Sequence, residues 1–263
     1  MAGANRDEAA AFLGVDAGAD VQVFPENNVD TLEESIRVRV LGLELQLTLL
    51  MQEDELAPLF SGAAWAGTLL WDAAIYLTRH FIAEFRDQLP TARVIELGAG
   101  IGVPGMAARV AGAKHVVLTE QDELLRLMDV NLAANSVVLD HNSDGGSIVA
   151  RPLSWGVSQT NEYLREFADE PIDVVLSCDC IYEPLYGESW RDLALTMELL
   201  CERNPRCVVL MGVERRNQDG IDKFLAFVAD HTKLEWRLHE TAIGMVKNRL
   251  ELYYMRLPET NDK

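Results

Sequence analysis

The sequence predicts an α/β protein with a doubly wound sheet of seven strands, mostly parallel, with an antiparallel hairpin at the C-terminal end. From about residue 69 to residue 231, short apolar segments alternate with segments of helical periodicity. A glycine-rich turn joins the first strand of that series to its helix. Two final segments alternate apolar and polar residues, which is typical of a hairpin. Strands connected through helices in this rhythm run parallel.

The predicted core contains five strands and five helices before the hairpin. The strands are Arg93–Leu97, Val116–Thr119, Ile148–Pro152, Asp173–Cys178 and Cys207–Val213, and the helices are Leu69–Phe85, Val103–Ala111, Glu123–Asn135, Ser189–Glu202 and Ile221–His231. Asp173–Cys178 is almost continuously apolar, as expected of a strand buried on both faces. The segments Leu234–Glu240 and Arg249–Leu257, connected through Gly244, predict a hairpin that leaves one strand antiparallel and completes a Rossmann-like sheet.

The N-terminal residues differ in composition from the core. Residues 1–33 are rich in Ala, Gly, Asp and Asn, with one short apolar patch at Val21–Phe24, and predict a loose arm. Two alternating runs then surround Gly42 and predict a hairpin, or one strand with a bulge. We therefore expect residues 34–263 to form one domain, in which an N-terminal β/helical extension (34–68) precedes the Rossmann-like core (69–258).

The charge limits the classes of partner. The formal net charge is −19, and such a surface repels phosphate backbones, so we expect no nucleic-acid partner. A basic peptide or protein would be attracted, although acidity that only maintains solubility explains the same composition. No apolar run reaches the roughly 18–20 residues that cross a bilayer, and Met1–Ala10 does not resemble a secretory signal. The sequence predicts no membrane partner, a monomer, and a location in the cytoplasm with access to the nucleus.

The cysteines and histidines predict no metal site. The four cysteines (Cys178, Cys180, Cys201, Cys207) are too few and too clustered to hold a domain of this size together, and they predict buried thiols in a reducing compartment. Cys178 and Cys180 lack the second pair that a zinc site needs. The five histidines are scattered along the chain without metal-ligand spacing.

The most informative motif is the glycine-rich turn after the first core strand, at Gly98, Gly100 and Gly102. Glycines let the backbone approach a ligand closely at the carboxyl edge of the sheet. A nicotinamide dinucleotide is the rival ligand, but its fingerprint requires glycine at the position of Val103. Glu96, at the end of the strand, would repel a pyrophosphate and attract a cation. Glu120 ends the second strand, where a carboxylate can accept hydrogen bonds from a ribose diol.

Four segments together resemble a known family. Glu-Leu-Gly-Ala-Gly-Ile-Gly-Val-Pro-Gly (96–105) is similar to the first motif of seven-β-strand S-adenosylmethionine-dependent methyltransferases. Leu-Trp-Asp-Ala-Ala (70–74), Leu-Ser-Trp-Gly (153–156) and Ser-Cys-Asp-Cys-Ile-Tyr (177–182) resemble the family-16 protein lysine methyltransferase branch, and the last matches its Asp-x-x-Tyr motif. The resemblance extends from about Leu69 to Leu257.

The resemblance implies S-adenosylmethionine as cofactor and S-adenosylhomocysteine as product. It implies cofactor contacts from Trp71, Glu96, Gly98, Gly100, Glu120 and Trp155, and from the backbone of Ser177 and Cys178. Glu120 departs from the aspartate that is most common there, so its ribose contact is expected to be repositioned by one methylene.

Asp179 and Tyr182 are the predicted catalytic residues. A carboxylate can orient an incoming amine, and an aromatic ring can pack against its alkyl chain and attract its cationic head. Because a carboxylate favours the ammonium while only the neutral amine attacks, we assign Asp179 an orienting role and not that of a general base. The alternatives are that Asp179 caps the next helix and that Tyr182 fills the edge of the core.

Two further segments permit either a functional or a packing interpretation. Glu214-Arg215-Arg216 follows the fifth strand, and either lines the substrate opening or forms a solvated loop. Trp190 either borders the acceptor groove or packs in the core.

The sequence thus favours an S-adenosylmethionine-dependent protein-lysine N-methyltransferase. Its expected partner is a protein substrate, such as a translation factor, a chaperone or another abundant protein. Two alternatives stay open: a histidine or small-molecule N-methyltransferase on the same sheet, and a catalytically silent module that retains the cofactor pocket.

Overall fold

Two β-sheets form the framework of the protein, for which a computed structural model describes residues 19–25, 35–49, 64–141, 145–167 and 171–259. The smaller sheet has the order β1 (Val21–Pro25), β2 (Ser35–Val40), β3 (Leu43–Thr48). The larger sheet contains β4 (Arg93–Leu97), β5 (His115–Glu120), β6 (Ser147–Pro152), β7 (Val174–Cys178), β8 (Val208–Glu214), β9 (Glu235–Ile243) and β10 (Arg249–Arg256).

The larger sheet confirms the predicted fold class. Its seven strands have the order β6-β5-β4-β7-β8-β10-β9. The first five in this order are parallel, β10 is antiparallel to β8, and β9 is antiparallel to β10. β10 is thus the one strand of this sheet that runs against the others, as the C-terminal hairpin predicted.

Helices cover both faces of the larger sheet. They are α1 (Asp72–Phe85), α2 (Val103–Val110), α3 (Asp122–Ala134), α4 (Ser136–Leu139), α5 (Val157–Phe167), α6 (Glu183–Tyr186), α7 (Trp190–Glu202) and α8 (Ile221–His231), with 3₁₀ turns at Ala64–Thr68 and Leu89–Thr91. The helices α1 to α4 and the smaller sheet share one apolar core, and α5, α7 and α8 share the other. Val175 and Leu176 show the alternation: these neighbours on β7 pack into opposite cores.

The sequence did not predict α4, α5 or α6, and it began α1 too early. α5 escapes detection because its sequence, Val-Ser-Gln-Thr-Asn-Glu-Tyr-Leu-Arg-Glu-Phe, is mostly polar. Tyr163 and Leu164 nevertheless supply a buried contact with the second core. α1 begins at Asp72 and not at Leu69, because the preceding residues, Leu69 to Trp71, are extended or irregular and line a cavity.

The prediction of a loose arm over residues 1–33 is wrong for Val21–Pro25, which forms β1. This strand pairs antiparallel with β2, and Val21 and Val23 are buried. The alternation is too short to identify as a strand until its distant partner is known. The predicted hairpin around Gly42 is present as β2 and β3. Residues 1–18 and 26–33 of the predicted arm lie outside the described residues.

Two asparagine side chains hydrogen-bond to the outer edge of β3: Asn131, within α3, and Asn135, at the C-terminal end of that helix. The Oδ1 atoms of Asn131 and Asn135 accept the N–H groups of Thr48 and Gln46, each at 2.8 Å. Their Nδ2 atoms donate to the carbonyls of the same two residues, at 3.1 and 2.8 Å. Because strand residues two apart face the same way and helix residues four apart share a face, the two amides satisfy an otherwise unpaired strand edge.

His80, His239 and Tyr254 form an aromatic cluster between α1 and the terminal hairpin, although the histidines are far apart in sequence. The Nε2 of His80 lies 2.7 Å from the hydroxyl of Tyr254, and the rings of His80 and His239 are 4.7 Å apart. The two histidines and Glu240 form a group whose potential metal-ligand atoms lie within 4.8 Å of one another. The guanidinium of Arg237, 3.3 Å from Nδ1 of His239, opposes a metal cation here, so we regard the cluster as a packing contact.

None of the helices in the described part of the chain combines the length and the apolar character that crossing a membrane requires. All four cysteines are free thiols.

The asparagine contacts predict a specific stability change. Asn135→Ala should lower the free energy of unfolding by about 1–3 kcal/mol, because the N–H and the carbonyl of Gln46 each lose a hydrogen-bond partner. Asn161→Ala, at an exposed position of α5, is the matched control and should have little effect. Urea unfolding of both variants measures this difference. Equal losses in the two proteins would show that the amides do not stabilise the strand edge.

Candidate active site

A cavity of about 390 Å³ opens at the carboxyl ends of β4, β5 and β7. This is where open α/β sheets place ligands. Eight of the ten predicted site residues line it: Trp71, Glu96, Gly98, Gly100, Glu120, Trp155, Cys178 and Asp179. Ser177 and Tyr182 are not among the lining residues. The structure therefore brings most of the predicted site together, from segments far apart in the chain.

Gly98 and Gly100 give the loop a shape that side chains would disturb. Both have positive φ, +61° and +53°. A Cβ on Gly98 would lie 2.6 Å from the Sγ of Cys180, and one on Gly100 would lie 2.7 Å from the carbonyl oxygen of Gly67. Glycine is required at both positions because the backbone passes close to its neighbours.

Glu96 links the loop to the next helix. Its Oε2 accepts the N–H of Gly105 in the first turn of α2, at 2.8 Å. The side chain is only 1% exposed, and burial, with a smaller contribution from the charge of Glu120, raises its pKa to about 8. Besides lining the cavity, Glu96 thus has a structural role that its sequence position did not indicate.

Glu120, at the end of the neighbouring strand β5, hydrogen-bonds to the glycine loop. Its Oε2 accepts the N–H of Gly100 at 3.0 Å, and its Oε1 accepts the N–H of Gln121 at 2.9 Å. Burial raises its pKa. A carboxylate has about four acceptor positions, so these two bonds leave capacity for a ligand hydroxyl.

Two tryptophans form walls of the cavity. The Nε1 of Trp71 donates to the carbonyl of Ala66 at 2.9 Å, which fixes its ring. Trp155 packs over the glycine loop, with Cζ2 3.1 Å from the position of a Cβ on Gly98. By contrast, Trp190 is buried, and its Nε1 donates to Glu183, so it packs in the core and does not line the cavity.

The end of β7 contributes thiols and backbone. Cys178 lines the cavity, while Ser177 is wholly buried beneath it. Cys180 donates its thiol to the carbonyl of Leu97 at 3.3 Å, and burial raises the pKa of Cys180 to about 12. These thiols are therefore neutral and apolar in character, as the sequence predicted.

Asp179 has an uncommon backbone conformation and is almost completely enclosed. Its φ is +52°, a left-handed value that aspartate tolerates better than most residues. Its N–H donates to the carbonyl of Gly212 at 2.8 Å, and its Oδ1 accepts the N–H of Glu214 at 3.1 Å. The side chain is 2% exposed. Burial raises the pKa of Asp179, against the opposing effect of the Arg216 guanidinium.

Tyr182 lies just outside the cavity, at the residue preceding α6. Its ring faces the guanidinium carbon of Arg216 at 5.6 Å. Tyr182 thus lies near the predicted reaction site, with Arg216 against its ring.

Glu214 and Arg216, for which the sequence left open a substrate opening or a solvated loop, contact the predicted catalytic residue Asp179. The Nη2 of Arg216 donates to Oδ2 of Asp179 at 2.5 Å and to Oε2 of Glu214 at 2.8 Å. The side chain of Glu214 is only 5% exposed and also accepts a hydrogen bond from Asn248. The solvated-loop interpretation is wrong for these two residues, because their partners come from strands that meet only in the fold. The signal in the sequence for their part in the site was a carboxylate and a guanidinium directly after the fifth predicted strand.

A cationic nucleoside without phosphates fits this cavity. The glycine loop leaves its backbone close to the ligand space, and two carboxylates, Glu96 and Glu120, face that space. A bound cation would favour the ionised, negatively charged form of both acids, and a pyrophosphate would oppose it. The fold and the cavity together define a methyltransferase of the S-adenosylmethionine-dependent class.

Comparison with known proteins gives the family. A sequence model described as lysine methyltransferase matches residues 46–231, and the chain belongs to this family. Its cofactor is accordingly S-adenosylmethionine, as predicted.

Named relatives share the same region. A Plasmopara viticola protein named secreted RxLR effector protein 48 is 68% identical over 158 residues, which cover 59% of this chain and 80% of that protein. The Xenopus laevis histone-arginine methyltransferase METTL23 is 30% identical, over 58% of this chain and 59% of its own. The mouse protein N-lysine methyltransferase METTL21A is 29% identical, over 56% and 61%. The matched region thus spans about six tenths of the two methyltransferases.

Solved structures support the fold alone. A SAM-dependent methyltransferase from Agrobacterium tumefaciens superposes with a TM-score of 0.53 at 11% identity, covering 94% of this chain and 79% of that one. A methyltransferase complexed with SAH gives a TM-score of 0.53 at 10% identity, over 85% and 56%.

The buried Glu96 predicts a pH-dependent stability. Between pH 4.5 and about 8, the unfolded chain has released a proton that folded Glu96 still holds, so the contribution of this group to stability falls as the pH rises. In the ligand-free protein, Glu96→Gln should remove a slope of up to about 1.4 kcal/mol per pH unit. Urea unfolding from pH 5 to pH 8 measures it, with Glu162→Gln, at an exposed position, as control. Parallel profiles for the Glu96→Gln and unsubstituted proteins would contradict this role.

Proposed function

We propose that the protein transfers methyl groups from S-adenosylmethionine to a lysine side chain of a protein substrate. The observation that supports this most directly is a buried carboxylate, Asp179, that lines the cavity beside the aromatic ring of Trp71. A carboxylate next to an aromatic wall suits a cationic side chain with an alkyl stem. Membership of the lysine methyltransferase family agrees with this acceptor.

The cofactor site in this proposal consists of the loop and its surroundings. Gly98 and Gly100 would allow the backbone to approach the ligand, Glu120 would accept the ribose hydroxyls, and Glu96 would face the cationic amino-acid moiety. Trp71, Trp155 and the Ser177–Cys178 backbone would complete it. When bound, S-adenosylmethionine supplies a methyl group on a sulfonium, which is already an activated leaving group.

The protein's own contribution is alignment of the acceptor and exclusion of water. Asp179 would orient the amine through a charge-assisted hydrogen bond. Tyr182 would pack against the alkyl stem once the acceptor is in place. The attacking amine must be neutral. Asp179 would favour its ammonium form, and the sulfonium of the bound cofactor would oppose that effect because two nearby cations disfavour each other. Asp179 is therefore assigned no role as the base.

Substitution of Asp179 tests the proposal. Asp179→Asn keeps a residue that tolerates positive φ but removes the charge, and we expect methyl transfer to fall by roughly 100-fold or more. The affinity for S-adenosylmethionine should change little, because Asp179 would contact the acceptor. Transfer of label from the cofactor to proteins of a whole-cell extract measures activity, and titration calorimetry measures the affinity for the cofactor. Asp129→Asn, at an exposed position of α3, is the control.

Two outcomes would overturn this assignment. If cofactor affinity fell in parallel with activity, Asp179 would belong to the cofactor site. If the unsubstituted protein bound the cofactor but labelled nothing in the extract, the chain would be a cofactor-binding module and not an enzyme.

Arginine is a second candidate acceptor. The guanidinium of Arg216 already lies between Asp179 and Glu214, so the site has the geometry to hold such a group. The relative from Xenopus laevis is named as a histone-arginine methyltransferase. Mass spectrometry of the labelled protein decides: methylation at lysine supports the first proposal, and methylation at arginine supports the second.

The partner and compartment are further parts of the proposal. A net charge of −19 favours a basic protein substrate, and neutral free thiols suit a reducing cytoplasm. The relative from Plasmopara viticola is named as a secreted effector. Imaging of the tagged protein in its own cells tests the cytoplasmic and nuclear location, which exclusive recovery from the medium would contradict.

A further inference from the structure

Arg216 separates the cavity from a second, more open groove. The groove has a volume of about 660 Å³, and Arg216 lines it together with the start of α6, the loop between β8 and α8, and the first turn of α8. On its other side, the Arg216 guanidinium contacts Asp179, which lines the cofactor cavity. The Arg216 side chain therefore reaches from the groove to a carboxylate of the predicted reaction site.

The surroundings of the guanidinium match those expected for a bound cationic substrate. Two buried carboxylates, Asp179 and Glu214, accept hydrogen bonds from its Nη2. Its central carbon lies 5.0 Å from the ring centre of Trp71 and 5.6 Å from that of Tyr182. Carboxylates and aromatic faces together form a site for a planar or tetrahedral cation.

The backbone that carries Arg216 is held independently of its side chain. The N–H of Arg216 donates to Oδ2 of Asp219 at 2.9 Å. The same oxygen accepts from Nε of Arg215, and Oδ1 of Asp219 accepts the N–H of Ile221 at 2.9 Å. The guanidinium can thus leave by side-chain rotation alone, which needs no rearrangement of the loop.

We propose that Asp179, Glu214, Trp71 and Tyr182 form the subsite for the acceptor's cationic side chain, and that Arg216 fills this subsite until the acceptor displaces it from the groove side. The proposal rests on the proposed function, because it names the acceptor site of the same reaction. Its ligand class is an alkylammonium or alkylguanidinium cation.

The exchange explains selection for cationic acceptors. Displacement of Arg216 by an ammonium or a guanidinium leaves both buried carboxylates compensated. A neutral hydroxyl or amide in the same place would leave two buried negative charges without a counter-ion, which is strongly unfavourable. The acceptor must therefore carry its own positive charge in order to enter the subsite.

Removal of Arg216 tests the subsite without reference to catalysis. Arg216→Ala should create a binding site for methylguanidinium, detected as a rise in melting temperature that grows with the logarithm of its concentration and reaches about 3–5 °C at ten times the dissociation constant. The unsubstituted protein and Arg86→Ala, at an exposed position, should show no such rise above that in sodium chloride of equal ionic strength. Should the alanine variant not fold, Arg216→Gln, which keeps a donor for Asp179, serves for the same titration.

Kinetics complete the test. In the Arg216 variant, the KM for the protein acceptor should fall about tenfold while the affinity for S-adenosylmethionine is unchanged, and methylguanidinium should compete with the acceptor. If the variant binds no methylguanidinium and its KM is unchanged or higher, Arg216 only positions Asp179, and the proposal is overturned. A protein that binds methylguanidinium but methylates no acceptor would refute the proposed function and leave the cation subsite established.

Discussion

Buried and half-buried carboxylates at the carboxyl edge of the sheet determine the other features of the site. Four carboxylates lie at or next to the ends of four neighbouring strands: Glu96, Glu120, Asp179 and Glu214. Each accepts a hydrogen bond, the first three from the main chain and Glu214 from the side chain of Asn248. Burial of an acid is unfavourable unless hydrogen bonds or a cation compensate it. The loop glycines, the left-handed Asp179 and the guanidinium of Arg216 can all be understood as parts of that compensation.

The two halves of this acidic edge are compensated differently. On the β4–β5 side, backbone N–H groups of Gly100 and Gly105 satisfy Glu120 and Glu96, and no buried arginine side chain is described against either carboxylate. A cationic ligand can therefore add its charge there without displacing a protein group. On the β7–β8 side, Arg216 already forms ion pairs with Asp179 and Glu214. A cation reaching that side must exchange with it, which separates binding of the cofactor from binding of the acceptor.

Sequence reasoning was most successful where a pattern is local. The boundaries of β4 and α8 were predicted to the residue. The glycine turn, with Glu96 beside it, indicated the cavity, because each of these signals lies within a few positions. It failed where the structure depends on distant partners. β1 is a strand through its pairing with β2, and polar α5 is held by its contact with the second core. Arg216 contacts Asp179, which lies 37 positions away in the sequence. Such pairings follow from the order of strands in the sheet and not from any segment alone.

We infer that the acids of the β4–β5 edge select a cationic nucleoside. Titration calorimetry of the unsubstituted protein and of Glu120→Gln with S-adenosylmethionine and with a nicotinamide dinucleotide tests this selection. We expect one S-adenosylmethionine bound per chain, an affinity about tenfold lower in the variant because a charge-assisted hydrogen bond is lost, and no heat with the dinucleotide. Binding of the dinucleotide, with none of S-adenosylmethionine, would contradict it.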